Sequence, residues 1–263
     1  MARISFESPN NGSRLFSNQT DKIVVANGNG LSNTAFSIAA WINTTSVGAN
    51  HGVIIGNTGI GGLSNGICVR RNGDQLDLLQ QNEVLIATSN HVLTANKWIH
   101  VGVSGNSSAV YAFYADGIDA GSGTGTAWSG FSAGNPQWIG ASGNDTAWSG
   151  SIAQVAFWTT ILTPGEFFRL AQGVKPSEIR PAQSAGYWPL CGNGFAATDL
   201  SFNHYDGTLT GTSLAPGPPF IRAEFWPGFD ILGFMPKVTA SSTFKFRRTL
   251  SPLGARIGSR QAA

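Results

Sequence analysis

Hydrophobic residues in this chain recur mostly at every second position, the period of a half-buried strand. Phe36, Ile38, Ala40 and Ile42 share one face of the run FSIAAWI. Trp98 to Gly117 reads as a hairpin, with Ile99, Val101 and Val103 in one arm and Val110, Ala112 and Tyr114 in the other. Shorter runs at Ile4–Phe6, Lys22–Val25, Val53–Ile55, Ile67–Arg70, Leu76–Leu79 and Val84–Ala87 predict further strands, separated by turns rich in Gly, Ser and Asn. From Trp138 to Phe168 the pattern is strand, Gly-rich loop, strand (Ile152, Val155, Phe157), then a helix over Pro164–Gln172. That helix carries its own start signal, with Thr163 as cap, Pro164 first and Glu166 in the first turn. Ile38, Trp41, Ile99, Val101, Ile139, Val155 and Phe157 are the expected core. The fold class this predicts is all-β, a two-sheet antiparallel jelly-roll sandwich with one short helix.

Composition agrees with many short strands and tight turns: 34 glycines stand beside only 11% charged residues in 263. No apolar run reaches membrane-spanning length, so no membrane is expected as partner. The N-terminus MARISFESPNNGSRLF has no apolar core of a secretory signal. The expectation is a chain that leaves the cell without one, as a virus particle does on lysis. Cys68 and Cys191 read either as two small buried hydrophobes or as a disulfide pair.

Charge divides the chain in two. Through Pro219 there are 9 Lys/Arg against 12 Asp/Glu, and from Phe220 onward 7 against 2. Residues 1–220 are therefore expected to form the jelly-roll domain. Pro216, Pro218 and Pro219 predict an extended exit from it. Residues 221–263 read as an extended aromatic and basic arm without a helical or strand period. Its aromatics Phe225, Trp226, Phe229, Phe234, Phe244 and Phe246 are too few for a core of their own. They are expected to pack on a partner subunit, with Arg247, Arg248, Arg256 and Arg260 meeting carboxylates or carbonyls there. The charges are interspersed with apolar residues, so nucleic acid is not the expected partner.

FSIAAWI, WIHVGVSGNSSAVYAFYADG, and GSIAQVAFW followed by LTPGE, taken in this order, resemble the laminin-G-like branch of the concanavalin A-like lectin and glucanase superfamily. A second similar stretch is YWPLCGNGFAATDLSFNHYDGTLTG, from Tyr187 to Gly211. In relatives it supplies a strand and a clamp-like loop before the jelly roll. Here it follows the helix, as if the order were circularly shifted. The resemblance covers about Ile4 to Phe220 and implies the fold; one sandwich hosts lectins, hydrolases, adhesion modules and virion proteins.

Glucanases of this superfamily place paired carboxylates on one strand face, as glycoside hydrolysis requires. The acidic residues here are isolated: Asp74 with Asp77 is assigned to a turn, and Asp116 with Asp119 to a hairpin tip. No enzyme activity is expected. His100, inside a strand, reads as a packing residue. Calcium, the ion the resemblance implies, would draw on Asp145, Asp199 and Asp206, which as Asx residues read first as turn formers. TAWSG occurs at Thr126–Gly130 and again at Thr146–Gly150. Its tryptophans, Trp128 and Trp148, either lie over the sheet rim as turn-entry residues or stand exposed with Asn144 and Asp145 as a carbohydrate-binding platform. Trp41, Trp98, Trp138 and Trp158, on strands, are expected in the core.

Two functions remain. One is a non-enzymatic structural protein of a virion, such as a capsid decoration, cement or fibre-like protein. It would be anchored by its arm to other subunits, including copies of itself. The other is a lectin-like module, extracellular or at a cell surface, that binds a glycan.

Overall fold

The computed structural model describes residues 12–26, 35–48, 51–56, 66–80, 84–126, 136–141, 147–192 and 196–219. The expected strand at Ile4–Phe6 and the whole arm, with Phe225, Trp226, Phe229, Phe234, Phe244, Phe246, Arg247, Arg248, Arg256 and Arg260, lie outside them.

Sixteen strands occur among the described residues. They are β1 (Gly12–Phe16), β2 (Lys22–Val25), β3 (Ala35–Thr44), β4 (His51–Gly56), β5 (Ile67–Asn72), β6 (Gln75–Gln80), β7 (Val84–Thr88) and β8 (Ile99–Asn106). The chain continues with β9 (Val110–Ala115), β10 (Ile118–Thr124), β11 (Gln137–Ile139) and β12 (Gly150–Trp158). After helix α1 (Pro164–Ala171) come β13 (Ser184–Trp188), β14 (Ala196–Ala197), β15 (Gly207–Thr210) and β16 (Ser213–Pro216). One sheet runs β10-β9-β8-β3-β12-β1-β16 with β13 also on β12; the other runs β14-β15-β2-β11-β4-β5-β6-β7. Every pairing is antiparallel. The all-β, two-sheet sandwich with one helix is therefore the fold.

The space between the sheets is filled by the alternating rows read from the sequence. Phe36, Ile38, Ala40 and Ile42 of β3 and Ile99, Val101 and Val103 of β8 meet Ile23, Ile55, Ile67, Val69, Leu76 and Leu78 of the opposite sheet. All seven expected core residues are buried, at 9% exposure or less. In β12 the apolar spacing of three and then two, Ile152 to Val155 to Phe157, marks a bulge at Gln154, which has φ of 50°. The bulge lets the first half of β12 pair with β1 and the second half with β13, while β3 runs along its other side.

The outer face of the first sheet is covered too. Helix α1 has the expected capping box: the Glu166 amide donates to Thr163 Oγ1 at 3.3 Å, and the Thr163 amide donates to Glu166 Oε2 at 2.7 Å. It lays Phe167 and Leu170 on Ala39, Tyr114, Ala156, Trp158 and Tyr187. Phe167 stacks on Tyr114 with ring centres 4.2 Å apart, and a Cβ at Gly102 would fall on the Phe167 ring. This double burial corrects the reading of β9. Its inward row is Tyr111, Phe113 and Ala115, whereas Ala112 and Tyr114 sit under the helix. Pro216 is also corrected: it ends an edge strand, opposite Gly12, where a missing N–H costs no ladder bond.

His100 packs as expected, 2% exposed, with its ring edge-on to Trp41 at 5.4 Å. Burial pushes its pKa down to about 3, from an ordinary 6.5. The unfolded chain therefore binds a proton that the folded chain refuses. Stability from this residue is complete above pH 6.5 and is lost as pH falls from there toward 3. Between pH 7 and pH 5 the loss should be about 2 kcal/mol. Urea titrations at the two pH values should show it in the wild type, and a His100→Leu variant should show a clearly smaller difference. Equal differences would refute this account of the residue.

Candidate functional site

Helix α1 covers one outer face of the sandwich. A polar cleft of about 210 Å³ opens at one end, lined by Ser17, Asn18, Gln19, Ser46, His51, Arg71, Ala147, Trp148 and Ser149. These residues come from the β1–β2 turn, the β3–β4 connection, the first residue of β4, the end of β5 and the entry to β12. Each wall is fixed by hydrogen bonds. The buried carboxylate of Asp21 accepts from the amides of Ser17 at 2.8 Å and Asn18 at 3.0 Å, which closes the first turn. The Thr45 amide donates to Ser149 O at 3.0 Å, and the Thr45 and Ser149 hydroxyls share a bond of 2.6 Å. The Trp148 amide donates to Gly140 O at 2.6 Å. Side chains held this way meet a ligand with little ordering cost.

Arg71 forms the innermost charged part of the lining. On β5 it follows Ile67 and Val69 on the inward row, so strand alternation sends a cation to the mouth of the core. It is 1% exposed, and its Nη1 donates to Gly73 O at 2.8 Å and Gly48 O at 3.2 Å. Burial pushes its pKa below the ordinary value. Its neighbour Arg70 points to the opposite face and pairs with Asp77 at 3.7 Å.

The expected sugar platform is corrected in one respect. Trp148 is 1% exposed and belongs to the core, because Gly52 has no side chain and leaves room for the indole. It lines the cleft and offers no stacking face. Trp128, Asn144 and Asp145 lie outside the described residues.

The calcium set is corrected as well. Asp199 is fully buried and its carboxylate accepts four bonds: from the amides of Tyr187 at 2.8 Å, Ser201 at 2.8 Å and Tyr205 at 2.9 Å, and from the Ser201 hydroxyl at 2.8 Å. Those donors fill the roughly four lone-pair sites of a carboxylate. Asp206 accepts from the Asp199 amide at 2.8 Å. Both residues organise the clamp-like loop between β13 and β15, and Asp145 lies outside the described residues. Among the described residues, no three His, Cys, Asp or Glu side chains group as a metal site would need.

The strands carry few carboxylates. Asp77 is on β6, not in the turn, and is held by Arg70, by Asn72 at 2.9 Å and by Thr88 at 2.7 Å. It is the only acidic residue on the described strands of its sheet. Asp116 and Asp119 serve the hairpin tip, accepting from the amides of His100 and Gly121 at 2.9 and 2.8 Å. Cys68, buried, and Cys191, half-buried, are not joined in a disulfide.

Sequence reading missed Arg71, His51 and the Ser17–Gln19 turn, since β1 was not anticipated. It also placed Trp138 and Trp98 in the core, whereas both are half-buried. Trp138 stands on the outer face of the second sheet with Lys22 Nζ over its ring at 5.3 Å. A second cleft of about 340 Å³ runs beside Arg14, Pro189, Cys191 and Ala196, where Arg14 donates to Gly192 O. Its wall is mainly apolar.

No curated protein matches the chain. Among solved structures, a Bacteroides ovatus protein to which carbohydrate binding has been attributed superposes with a TM-score of 0.59 and 18% identity over 79% of this chain. The chain spans 60% of that protein's length. The heptameric SAP-like pentraxin of Limulus polyphemus superposes with a TM-score of 0.57 and 15% identity, covering 80% of this chain and 97% of the pentraxin. At these identities the likeness is one of fold. A family model matches residues 17–167, more than half of the chain. The chain belongs to the laminin-G-like group of the concanavalin A-like lectin/glucanases superfamily.

Proposed function

We propose that this protein is a non-enzymatic, lectin-like module that binds a glycan in the polar cleft at the end of its sandwich. The observation that carries the proposal is the cleft itself. Hydroxyls, amides, an imidazole and a guanidinium converge there from loops already fixed by hydrogen bonds. That mixture suits a saccharide, which presents many hydroxyl donors and acceptors at short spacing. The carbohydrate binding attributed to the Bacteroides ovatus protein supports the same reading and favours it over that of a virion component. A glycan-binding role places the protein outside the cell or on its surface. Asn144 and Asp145 stay in the proposal on sequence position, in the segment from Ala141 to Ala147. Docking to an assembly through residues 221–263 is a separate proposal. A chain truncated after Phe220, which keeps every described strand, should test it by staying folded and losing its partner.

Screening of the full chain against an immobilised glycan library should give binding to a defined subset of sugars. Ser46→Trp, which puts a large side chain into the cleft from an exposed position, should weaken that binding about tenfold or more. The bound sugars should be recovered uncleaved. Absence of binding to any glycan, or hydrolysis lost on replacing one Asp or Glu, would refute the proposal.

A further inference from the structure

We propose that the cleft is selective for acidic saccharides, with Arg71 as counter-ion to an oxyanion carried on the sugar, a carboxylate or a sulfate ester. This rests on the glycan-binding reading above and deepens it.

Arg71 differs from Arg70 and Arg180, the two arginines with a carboxylate partner. Arg70 faces Asp77 at 3.7 Å and Arg180 faces Glu166 at 2.6 Å. Arg71 is almost wholly buried, yet among the described residues no carboxylate pairs with it. Its Nη1 has two neutral carbonyls, and its Nε is buried without an acceptor. Removing a guanidinium from water without a counter-charge is costly, and proteins rarely keep such a group without a use for it. Trp148, which lines the same cleft, carries a second buried donor without an acceptor, its indole N–H. Two residues with orphaned donors beside one concavity suit a ligand rich in acceptors, and the uncompensated positive charge calls for an anionic one.

The remaining lining agrees. Ser17, Asn18 and Ser46 are exposed and supply groups for sugar hydroxyls, and His51 stands beside them at the mouth. Among the described lining residues none is acidic, and the Asp21 carboxylate behind the wall is already engaged by the Ser17 and Asn18 amides. The depressed pKa of Arg71 reflects the same lost hydration that an entering anion would offset. The fork of a guanidinium matches both planar carboxylate and sulfate oxygens, so the source of the oxyanion is left to the experiment.

The test is calorimetric titration of the full chain, at fixed ionic strength, with trigalacturonate, a sulfated galactotriose, neutral galactotriose and sodium sulfate. Arg71 Nε is followed by NMR in parallel. At least one acidic trisaccharide should bind about tenfold or more tightly than the neutral one, the worth of a hydrogen bond to a charged group. Preference for trigalacturonate identifies a carboxylate, and preference for the sulfated sugar an ester. Arg71→Gln should abolish the preference and Arg71→Lys restore part of it. Ser46→Trp, which leaves Arg71 in place, should lose the acidic ligand even if the Arg71 variants fold poorly. Equal affinity for acidic and neutral sugars would overturn the role of Arg71 and leave the glycan-binding reading intact. Sulfate shifting Arg71 Nε with no saccharide bound would keep the oxyanion site but overturn its placement on a sugar, and the glycan-binding reading would still be decided by the library screen. No response to any probe would overturn the acidic-saccharide site, and the library screen would still decide the glycan-binding reading.

Discussion

Replacing Asp199 by alanine should cost the sandwich about 3–5 kcal/mol, the penalty typical of removing one partner from a buried charged network. Asp199 gathers three backbone amides and one hydroxyl around a single carboxylate, with no solvent access. The alanine leaves four donors without their acceptor, three of them in buried bonds, and each buried orphan costs about 1–3 kcal/mol before relaxation. Two of those donors span the sheets. Tyr187 belongs to β13 in one sheet, and Tyr205 leads into β15 in the other. The clamp is reinforced where the Trp188 indole donates to Tyr205 O at 2.9 Å. Asp199→Asn should be nearly as harmful, since an amide NH₂ would face donors instead of accepting from them. Urea unfolding would show the effect as a lower midpoint with an unchanged slope. A loss under about 1 kcal/mol would mean that the loop is held by something else.

The second large effect is expected at Gly150, the first residue of β12. Its φ of 130° is a conformation that L side chains rarely adopt, and a Cβ there would fall on the backbone carbonyl of Asn43. That oxygen belongs to β3, the partner strand along this whole edge, so the clash cannot be relieved by turning a side chain. Gly150→Ala should therefore destabilise the protein by about 3 kcal/mol or more, from strain and a displaced ladder together. Ala147, Trp148 and Ser149 precede it in the cleft wall, so the variant should also lose ligand at temperatures where it remains folded. Gly165→Ala is the control. Gly165 lies in helix α1 with open space around it and should gain up to about 1 kcal/mol. Similar melting temperatures for the two variants would contradict this view of Gly150.

The fold was legible because burial on one face leaves a clean period. β3 and β8 show it, and α1 announces itself through Thr163, Pro164 and Glu166. Where both faces are buried the period fails: in β9 the row under the helix, Ala112 and Tyr114, looked like the core row. β10, with IDAGSGT, has too few apolar residues for any pattern to show, and β1 lacks alternation because Ser13 and Arg14 are buried through pairing. The site was harder to see for a related reason. Trp148 looked like a ligand platform because nothing in its neighbourhood in sequence reveals that Gly52, nearly a hundred residues away, leaves it a berth. Asp199 looked like an ion ligand because the donors that occupy it come mainly from backbone amides, which carry no sequence signal. Arg71 could have been found, since Ile67, Val69 and Arg71 share one face and the last is charged.

The most direct test of the central claim, glycan binding at the end of the sandwich, is amide chemical-shift mapping of the full chain with a sugar taken from the library screen. The account predicts perturbations concentrated at Ser17–Gln19, Ser46, His51, Arg71 and Ala147–Ser149. Perturbations centred instead on Lys22 and Trp138, on the outer face of the second sheet, or beside Arg14 and Cys191 would contradict it.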